Sequence, residues 1–273
     1  GSACRYDGFW QRSLALLAEL RKDGIVNVAV HTSAIGACEK GHQWHWALFL
    51  LGETQAHAHP TVLTYNATMS ACGKSAQWQR AIQLMDELPR GILPTEVTYN
   101  AVIDACGKGG HWTGGLSLLA SMTHCVPSTV TYTSAAIACA RALQWQWPLA
   151  LLSEMEHRCV SPNDVTFGVL ISSCNETRHW MHSLRLCAVA ENQRLVGHWV
   201  NKAMIEAYLQ ASHWSRALWH LVDRERHGFG QHRHLYSECA DVCVLAQRWD
   251  VALQLTERAI ANFRGKSGRT QRK

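Results

Sequence analysis

The sequence predicts an all-α fold, an α-solenoid in which helix-turn-helix repeats stack as a right-handed superhelix. Three observations predict it: a tryptophan recurs along the whole chain, two amphipathic segments accompany each recurrence, and prolines separate the units. Steps of 33–35 residues relate eight of the 12 tryptophans, at Trp10, Trp44, Trp78, Trp112, Trp145, Trp180, Trp214 and Trp249. A fixed period in this range is typical of units that bury their apolar faces only against their neighbours.

Each unit contains two segments with helical periodicity, which we name helix A and helix B. Helix A of the clearest unit contains VTYNAVIDACGK, from Val97 to Lys108, and residues 63–74 and 130–141 repeat its pattern. Helix B begins near the periodic tryptophan, as in WQRAIQLMDEL from Trp78 to Leu88. Apolar residues recur at three- and four-residue intervals in both, as amphipathic helices require. Prolines precede four of the A helices, at Pro60, Pro94, Pro127 and Pro162. We therefore expect about fifteen helices, with the A helices lining the inner surface.

The repeat alignment also predicts how the chain is divided. It gives seven units, at 28–61, 62–95, 96–128, 129–163, 164–197, 198–232 and 233–263. Residues 1–27 are expected to be the end of a preceding degenerate repeat, and residues 264–273 a basic disordered tail. That tail holds five basic residues and no acid, so the rest of the chain balances at 21 basic and 21 acidic residues. The net charge of +5 therefore gives no argument for a nucleic-acid partner, and only the positions of the charges can.

With prolines followed by VTYN-type helices, the units resemble P-type pentatricopeptide repeats, an RNA-binding α-solenoid family. The resemblance covers residues 28–263; it is strongest in the units that begin at Val62, Glu96 and Thr129 and weakest in the last three. It implies sequence-selective binding of single-stranded RNA in organellar RNA processing, stability, editing or translation. The implied partner is an organellar transcript, with protein partners as a further expectation, and the implied location is a mitochondrion or a chloroplast or other plastid. No membrane or small-molecule substrate is expected.

The resemblance also implies which side chains would contact RNA. In that family the fifth residue of helix A and the last residue of the unit contact one base per repeat. The alignment gives four pairs with amide or hydroxyl side chains able to meet a base edge: Thr32 with Thr61, Asn66 with Thr95, Asn100 with Ser128, and Thr133 with Asn163. The aliphatic second residues of helix A resemble the family's base-sandwiching residues: Leu63, Val97, Val130 and Val165. The family's pairing rules then give the RNA order 5′-purine, pyrimidine, C, A-3′.

A stripe of basic residues accompanies these pairs. Eight residues after the fifth position stand Lys40, Lys74, Lys108 and Arg141, whereas later units have Glu176, Gln210 and Leu245 there. One cation per unit could neutralise successive phosphates. The alternative is that each cation only complements its helix dipole, which is worth about 0.3–1 kcal/mol. The cations end in the same units in which the readable pairs end, and this favours phosphate contact.

Other signals are explained by packing. Six of the 11 cysteines share one position of helix A, where a small apolar side chain is needed: Cys38, Cys72, Cys106, Cys139, Cys174 and Cys243. The sequence contains no CxxC or HExxH spacing, so no metal or other cofactor is predicted. The periodic tryptophan is expected to fill the gap between helices. No catalytic constellation can be argued, and we expect no enzyme. The competing function is a protein-interaction scaffold of the tetratricopeptide type.

Overall fold

The computed structural model describes residues 7–22, 27–89, 91–122, 125–226 and, near the C terminus, 239–241, 243–244, 248 and 250–255. These residues are helical or lie in turns and connections, and none of them forms a strand. Thirteen helices are bounded within them: α1 (Asp7–Lys22), α2 (Val28–Lys40), α3 (Trp44–His57), α4 (Val62–Lys74), α5 (Trp78–Asp86), α6 (Glu96–Lys108), α7 (Trp112–Ala120), α8 (Thr129–Arg141), α9 (Gln146–His157), α10 (Asp164–Glu176), α11 (Trp180–Asn192), α12 (His198–Gln210) and α13 (Trp214–Arg226).

The all-α prediction is confirmed. Even-numbered helices are the A helices and odd-numbered helices the B helices of the predicted units. Most of the predicted repeat at 233–263, Trp249 and the basic tail at 264–273 lie outside the described residues. Within the described part of the chain, no helix combines the length and the hydropathy needed to cross a bilayer.

Helix A starts where it does because a polar residue caps it. Asn27, Thr61, Thr95, Ser128 and Asn163 have extended backbones, and each side chain accepts a hydrogen bond from a first-turn amide N–H. At α4, α6, α8 and α10 a threonine three residues on returns the bond to the cap, forming a capping box. Those threonines are the T of the VTYN pattern and are buried: Thr64, Thr98, Thr131 and Thr166. Each cap is worth about 1 kcal/mol.

The turn from helix A to helix B uses one geometry throughout. The residue two before the periodic tryptophan has a positive φ of 56–76°, at His42, Ala76, Gly110, Leu143, Arg178 and Ser212. The next amide N–H then bonds back to the carbonyl five residues earlier, as from Gln77 to Cys72 at 2.9 Å and from His179 to Cys174 at 2.8 Å. This is the Schellman arrangement, which ends a helix with a left-handed residue. Among these six residues only Gly110 takes that backbone without a steric penalty.

The chain divides into two compact units, residues 1–142 and 143–273. In the first unit each A helix packs on the next A helix, and each B helix packs on its own A helix and on the following one. Among the described helices of that unit, no B helix packs directly on another B helix. The A helices therefore form the closely spaced layer, on the inner side of the stack within this unit. Their contacts bury Ile35, Met69 and Ile103 completely.

The second compact unit repeats this packing with α10 and α12 as neighbouring A helices. Helix α11 contacts both of them, and α13 packs on α12. Its core is formed by Phe167, Leu170, Ile171, Met204 and Tyr208, all of which are nearly inaccessible to solvent. The helical repeat packing is thus present in both compact units, including the part with the weaker sequence pattern.

At least three of the periodic tryptophans pack between consecutive units. The indole of Trp78 stacks on His111 of the next unit with ring centroids 4.1 Å apart, and Trp145 stacks on His179 in the same way. Trp10 lies against Gly41 and Trp78 against Gly109, so closely that a Cβ at either glycine would collide with the ring. For Trp10, Trp78 and Trp145 the predicted gap-filling role therefore holds for the space between helix B and the following turn.

Candidate nucleic-acid interface

The second and fifth residues of helix A are one turn apart and therefore lie side by side on the helix surface. The four predicted sandwiching residues are exposed, with Leu63 at 67%, Val97 at 63%, Val130 at 60% and Val165 at 37%. Exposed aliphatic residues at one repeat position form a row on the A layer of the first compact unit, and Val165 has the equivalent place in the second. Core packing does not explain this row, because these side chains remain largely in solvent.

The fifth residues lie deeper than the second residues. Thr32 and Thr133 donate their hydroxyl protons to carbonyls one turn earlier, those of Val28 at 2.8 Å and Thr129 at 2.6 Å. The Asn66 side chain is 8% exposed, and its Oδ1 is buried with no hydrogen-bond donor among the described residues. The Oδ1 of Asn100 is in the same situation. An unpaired buried polar atom costs about 1–3 kcal/mol, so these two amides are the groups in the row that would gain most from a ligand.

The structure brings some predicted pairs together through a third side chain. Thr32 and Thr61 are bridged by the hydroxyl of Thr64, at 2.8 Å and 3.1 Å. Asn100 and Ser128 are bridged by the carboxylate of Glu96: Asn100 Nδ2 donates to Glu96 Oε1 at 3.4 Å, and Ser128 Oγ also donates to that oxygen. In these two repeats the pair therefore forms one hydrogen-bonded cluster.

The pair Asn66 and Thr95 has no such bridge among the described residues. The Thr95 hydroxyl contacts Thr98 Oγ1 at 3.1 Å, and no donor reaches the Oδ1 of its predicted partner Asn66 among the described residues. Thr133 and Asn163 belong to different compact units and stay a predicted pair. Asn163 Oδ1 accepts from Thr166 N and from Thr166 Oγ1, both at 2.9 Å.

In each of these four pairs, the residue at the end of the repeat is also the N-cap of the next A helix, a role that the sequence reasoning missed. Thr61, Thr95, Ser128 and Asn163 are of the residue types that N-caps favour, so their identity has a structural explanation beside the proposed one. The signal was present in the sequence, because each stands three residues before the threonine of the VTYN-type pattern.

The basic stripe lies in the last turn of the A helices, as the sequence pattern indicates. Lys40, Lys108 and Arg141 are exposed and Lys74 is half-buried. Two of the cations already have a carboxylate: Lys74 Nζ lies 2.9 Å from Glu39 Oε1 of the preceding repeat, and Lys108 pairs with Asp104 one turn back. No ion pair involves Lys40 or Arg141 within the described residues. The stripe thus contains two cations with carboxylate partners and two, Lys40 and Arg141, without one among the described residues.

The later repeats keep the helices but lose these groups. A Cβ at Gly168 would lie 2.8 Å from the Cβ of Trp199, and one at Gly197 would collide with the Asp164 carboxylate. Asp164 instead caps α12 from the previous repeat, accepting from Gly197 N at 2.9 Å and Val200 N at 3.2 Å. Gly168 and Gly197 stand at the fifth and the last position of the repeat at 164–197, where they offer no side chain to a base, and packing explains both glycines. Trp199, the second residue of α12, is 56% exposed and was not singled out by the sequence analysis.

The later repeats also contain a buried polar cluster that the sequence did not reveal. His220 is 2% exposed, with Nδ1 3.2 Å from Asn201 Oδ1 and Nε2 3.2 Å from Glu191 Oε1. Its ring stacks on Tyr208, whose hydroxyl also donates to Glu191 at 3.2 Å. A cavity of about 580 Å³ opens beside this cluster, lined by Glu191, Val196, Arg216, Trp219 and His220.

The cysteines of helix A serve packing. Cys38, Cys72, Cys106, Cys139, Cys174 and Cys243 are fully buried and free. Burial raises the pKa of the first five thiols to about 11, so these thiols stay protonated and unreactive near neutral pH. No group of three or more histidine, cysteine or acidic side chains positioned to hold a metal occurs within the described ranges.

Comparison with solved structures identifies the same fold. PPR10 in complex with an 18-nt psaJ RNA element matches with a TM-score of 0.76 and 17% identity, over 93% of this chain and 38% of that chain. PPR10 from maize matches with a TM-score of 0.63 and 22% identity, over 93% of this chain and 37% of that one. The PPR domain of Arabidopsis thaliana protein-only RNase P 1 in complex with tRNA matches with a TM-score of 0.53 and 14% identity, over 66% and 97%. The chain thus spans less than two fifths of the length of the PPR10 chains.

Comparison with sequence families identifies the repeats. Three family models match the chain: the pentatricopeptide repeat domain at residues 15–75, the PPR repeat family at 60–108 and the PPR repeat at 97–125. No curated protein sequence matches the chain. These matches identify pentatricopeptide repeats within residues 15–125, and the A–B helix packing of those repeats recurs in the later part of the chain up to α13.

Proposed function

We propose that this chain binds single-stranded RNA sequence-selectively through the A-helix layer of the repeats between residues 28 and 163. The observation that carries the proposal is the row of exposed aliphatic residues beside deeper polar ones, which include two buried amide oxygens without a donor. A nucleobase could contact both sets of residues. Its apolar faces would pack on the aliphatic side chains, and the hydrogen-bonding groups of its edge would meet the polar ones.

Stacking is the first part of the proposed contact. Neighbouring packed helices are about 8–10 Å apart, and a flat base makes good contact at about 3.5–4.0 Å from each face. One base therefore fits between the second residues of consecutive A helices, such as Leu63 and Val97, or Val97 and Val130. This contact accepts any base, so it contributes affinity without selectivity.

Hydrogen bonding is the second part and supplies the selectivity. A base edge between two such residues faces the fifth residue of the same repeat and the cap at its end. We propose the order 5′-purine, pyrimidine, C, A-3′ for the pairs Thr32/Thr61, Asn66/Thr95, Asn100/Ser128 and Thr133/Asn163. The basic residues Lys40, Lys74, Lys108 and Arg141 would follow the phosphates of the same nucleotides.

Two of the structural relatives support an RNA partner, because each was solved with a bound RNA. PPR10 was solved with an 18-nt psaJ RNA element, and the PPR domain of protein-only RNase P 1 with tRNA. We extend this to an organellar transcript as the target, in RNA processing, stability, editing or translation in a mitochondrion or plastid. The second of these relatives is part of an RNase, and we propose RNA binding and not catalysis for this chain, because the candidate interface consists of amides, hydroxyls and aliphatic groups.

The proposal is tested by equilibrium binding of the full chain to short unstructured RNAs. We expect an RNA containing the proposed four-base order to bind more tightly than RNAs with the same bases permuted. A peptide-binding scaffold, which is the competing function, would bind none of these RNAs at micromolar concentration. Equal affinity for all permuted RNAs would contradict selectivity while leaving RNA binding intact.

A further inference from the structure

Glu96, the first residue of α6, lies inside the pair that we propose to read the third base. Its Oε1 accepts hydrogen bonds from Ser128 Oγ, from Asn100 Nδ2 at 3.4 Å and from Thr131 Oγ1 at 3.4 Å. One carboxylate oxygen thus contacts both members of the pair and the capping-box threonine of α8. No repeated sequence motif marks this residue.

The position of Glu96 has a physical cause. Helices α6 and α8 are packed neighbours, and the first turn of α6 lies beside the N terminus of α8. A helix N terminus stabilises a negative charge, so the carboxylate is held there independently of any ligand. Asp164 does the same at α12, where it accepts from the amides of Gly197, Trp199 and Val200. Of the A helices whose first turn is described, only α6 and α10 begin with an acid.

This contact fixes what the Ser128 hydroxyl can offer to a base. A serine hydroxyl has one proton and two lone pairs. The proton is donated to Glu96, and one lone pair accepts from Val130 N at 3.1 Å. Only one lone pair of the Ser128 hydroxyl is left for a ligand. The Glu96 carboxylate oxygen beside it is also an acceptor. This side of the pair is therefore an acceptor site.

An acceptor site discriminates between the two pyrimidines. Cytosine presents an amino group at C4 and uracil presents an oxygen there, so the former donates where the latter would be repelled. Asn100 alone cannot make this distinction, because its amide has both a donor and an acceptor and can turn over. We infer that Glu96 is a specificity-determining residue of the repeat at 96–128 and makes it select cytosine over uracil. The inference rests on the proposed function.

The preceding repeat provides the comparison within the same chain. Its pair, Asn66 with Thr95, has a similar chemistry, but Val62 stands where Glu96 stands in the next repeat. The Thr95 hydroxyl contacts Thr98 and, among the described residues, no carboxylate. This repeat therefore reads a pyrimidine at the second base with little distinction between C and U.

The test measures the affinity of the full chain for RNAs that differ only in C or U at the second or third base. For the wild type we expect about a tenfold preference for C at the third base and less than about twofold at the second. Glu96→Gln should reduce the third-base preference to below about threefold, because the amide can donate to uracil O4. Val62→Glu should create a preference for C at the second base. Ratios are compared because removing a charge strengthens binding of every RNA alike.

Asp164→Asn is the matched control. This substitution also removes a carboxylate that caps the next A helix. Its repeat has Gly168 and Gly197 at the fifth and last positions, where no side chain can contact a base. The ratio of the affinities for C and U at the third base should therefore stay near tenfold. If Glu96→Gln keeps the wild-type ratio, the inference is overturned and the proposed function stands. If the wild type binds none of the RNAs, the proposed function itself is wrong. Should Glu96→Gln not fold, Val62→Glu decides, and an unchanged second-base ratio would overturn the inference.

Discussion

The repeats within residues 28–141 and those within residues 164–226 share their scaffold and differ in the side chains that could meet RNA. Both have a capping box, at Thr64 and at Thr166, and both bury a cysteine in helix A, at Cys72 and at Cys174. Both turn from helix A to helix B through a left-handed residue. The earlier repeats add amide and hydroxyl pairs and a cation in the last turn, whereas the later ones have Gly168, Gly197 and Glu176 in the equivalent places.

The difference shows that repeat packing and base recognition occupy separate positions of the same helix. At Gly168 the neighbouring Trp199 fills the space that a fifth-position side chain would need. At Gly197 the Asp164 carboxylate replaces the side-chain cap of the earlier repeats. In the repeat at 164–197 the packing therefore excludes a readable pair, while the helical stack is kept.

The largest expected effect concerns the cations that only the earlier repeats have. If Lys40, Lys74, Lys108 and Arg141 each neutralise one phosphate, the slope of log K against log salt is about −3, and Kd rises roughly 50-fold between 50 and 200 mM salt. If only the two cations without a carboxylate partner contribute, the rise is roughly sevenfold. Fluorescence anisotropy at several salt concentrations distinguishes the two cases.

Replacing all four cations by alanine should remove most of this salt dependence and weaken every RNA to a similar degree, since phosphates carry no sequence information. The control is Lys202→Ala, which removes a cation of the later repeats that is paired with Glu206 at 3.6 Å and should change neither affinity nor slope. Wild-type affinity in the quadruple variant would mean that the stripe only complements the helix dipoles.

A second prediction concerns two helix-A glycines with different surroundings, one in each region. Gly168→Ala should lower the free energy of unfolding by about 1–3 kcal/mol, because the new Cβ meets Trp199 backbone and Cβ atoms that cannot rotate away. Gly36→Ala in α2 has no atom within 4 Å of the new Cβ and should raise it by about 0.5–1 kcal/mol. Urea unfolding followed by circular dichroism measures both. Equal effects would show that Trp199 does not limit the space at Gly168.

A third, smaller effect should be the same in both regions. Ala76 and Arg178 are exposed and have positive φ values of 57° and 60°. Glycine relieves the strain of this backbone but loses more entropy on folding, so Ala76→Gly and Arg178→Gly should each stabilise by about 0.5–1 kcal/mol. Gly110→Ala should destabilise by a similar amount, and denaturation midpoints report all three. A gain in only one region would contradict the shared turn geometry.

The sequence predicted the fold well because periodic tryptophans and apolar spacing depend on packing that every repeat shares. The positions of Leu63, Val97 and Val130 on the exposed face also followed from the pattern. The roles of Thr61 and Ser128 as helix caps were missed, although the capping signal was in the sequence. Three contacts join residues 31–35 positions apart: the Glu96 bridge, the Lys74–Glu39 pair and the Gly168–Trp199 contact. They could not be predicted from the sequence, because they depend on how closely neighbouring helices pack.

The most direct test of the central claim, that the pairs of the earlier repeats read bases, is to change one pair. The double variant Asn100→Thr, Ser128→Asn gives the third repeat the same residues as the predicted Thr133/Asn163 pair. Its affinity should be measured for four RNAs that differ only in the third base, beside the wild type. We expect the preferred base to change from C to A by about tenfold or more, with the other positions unaffected. If the double variant still prefers C, the assignment of these residues to base recognition is wrong.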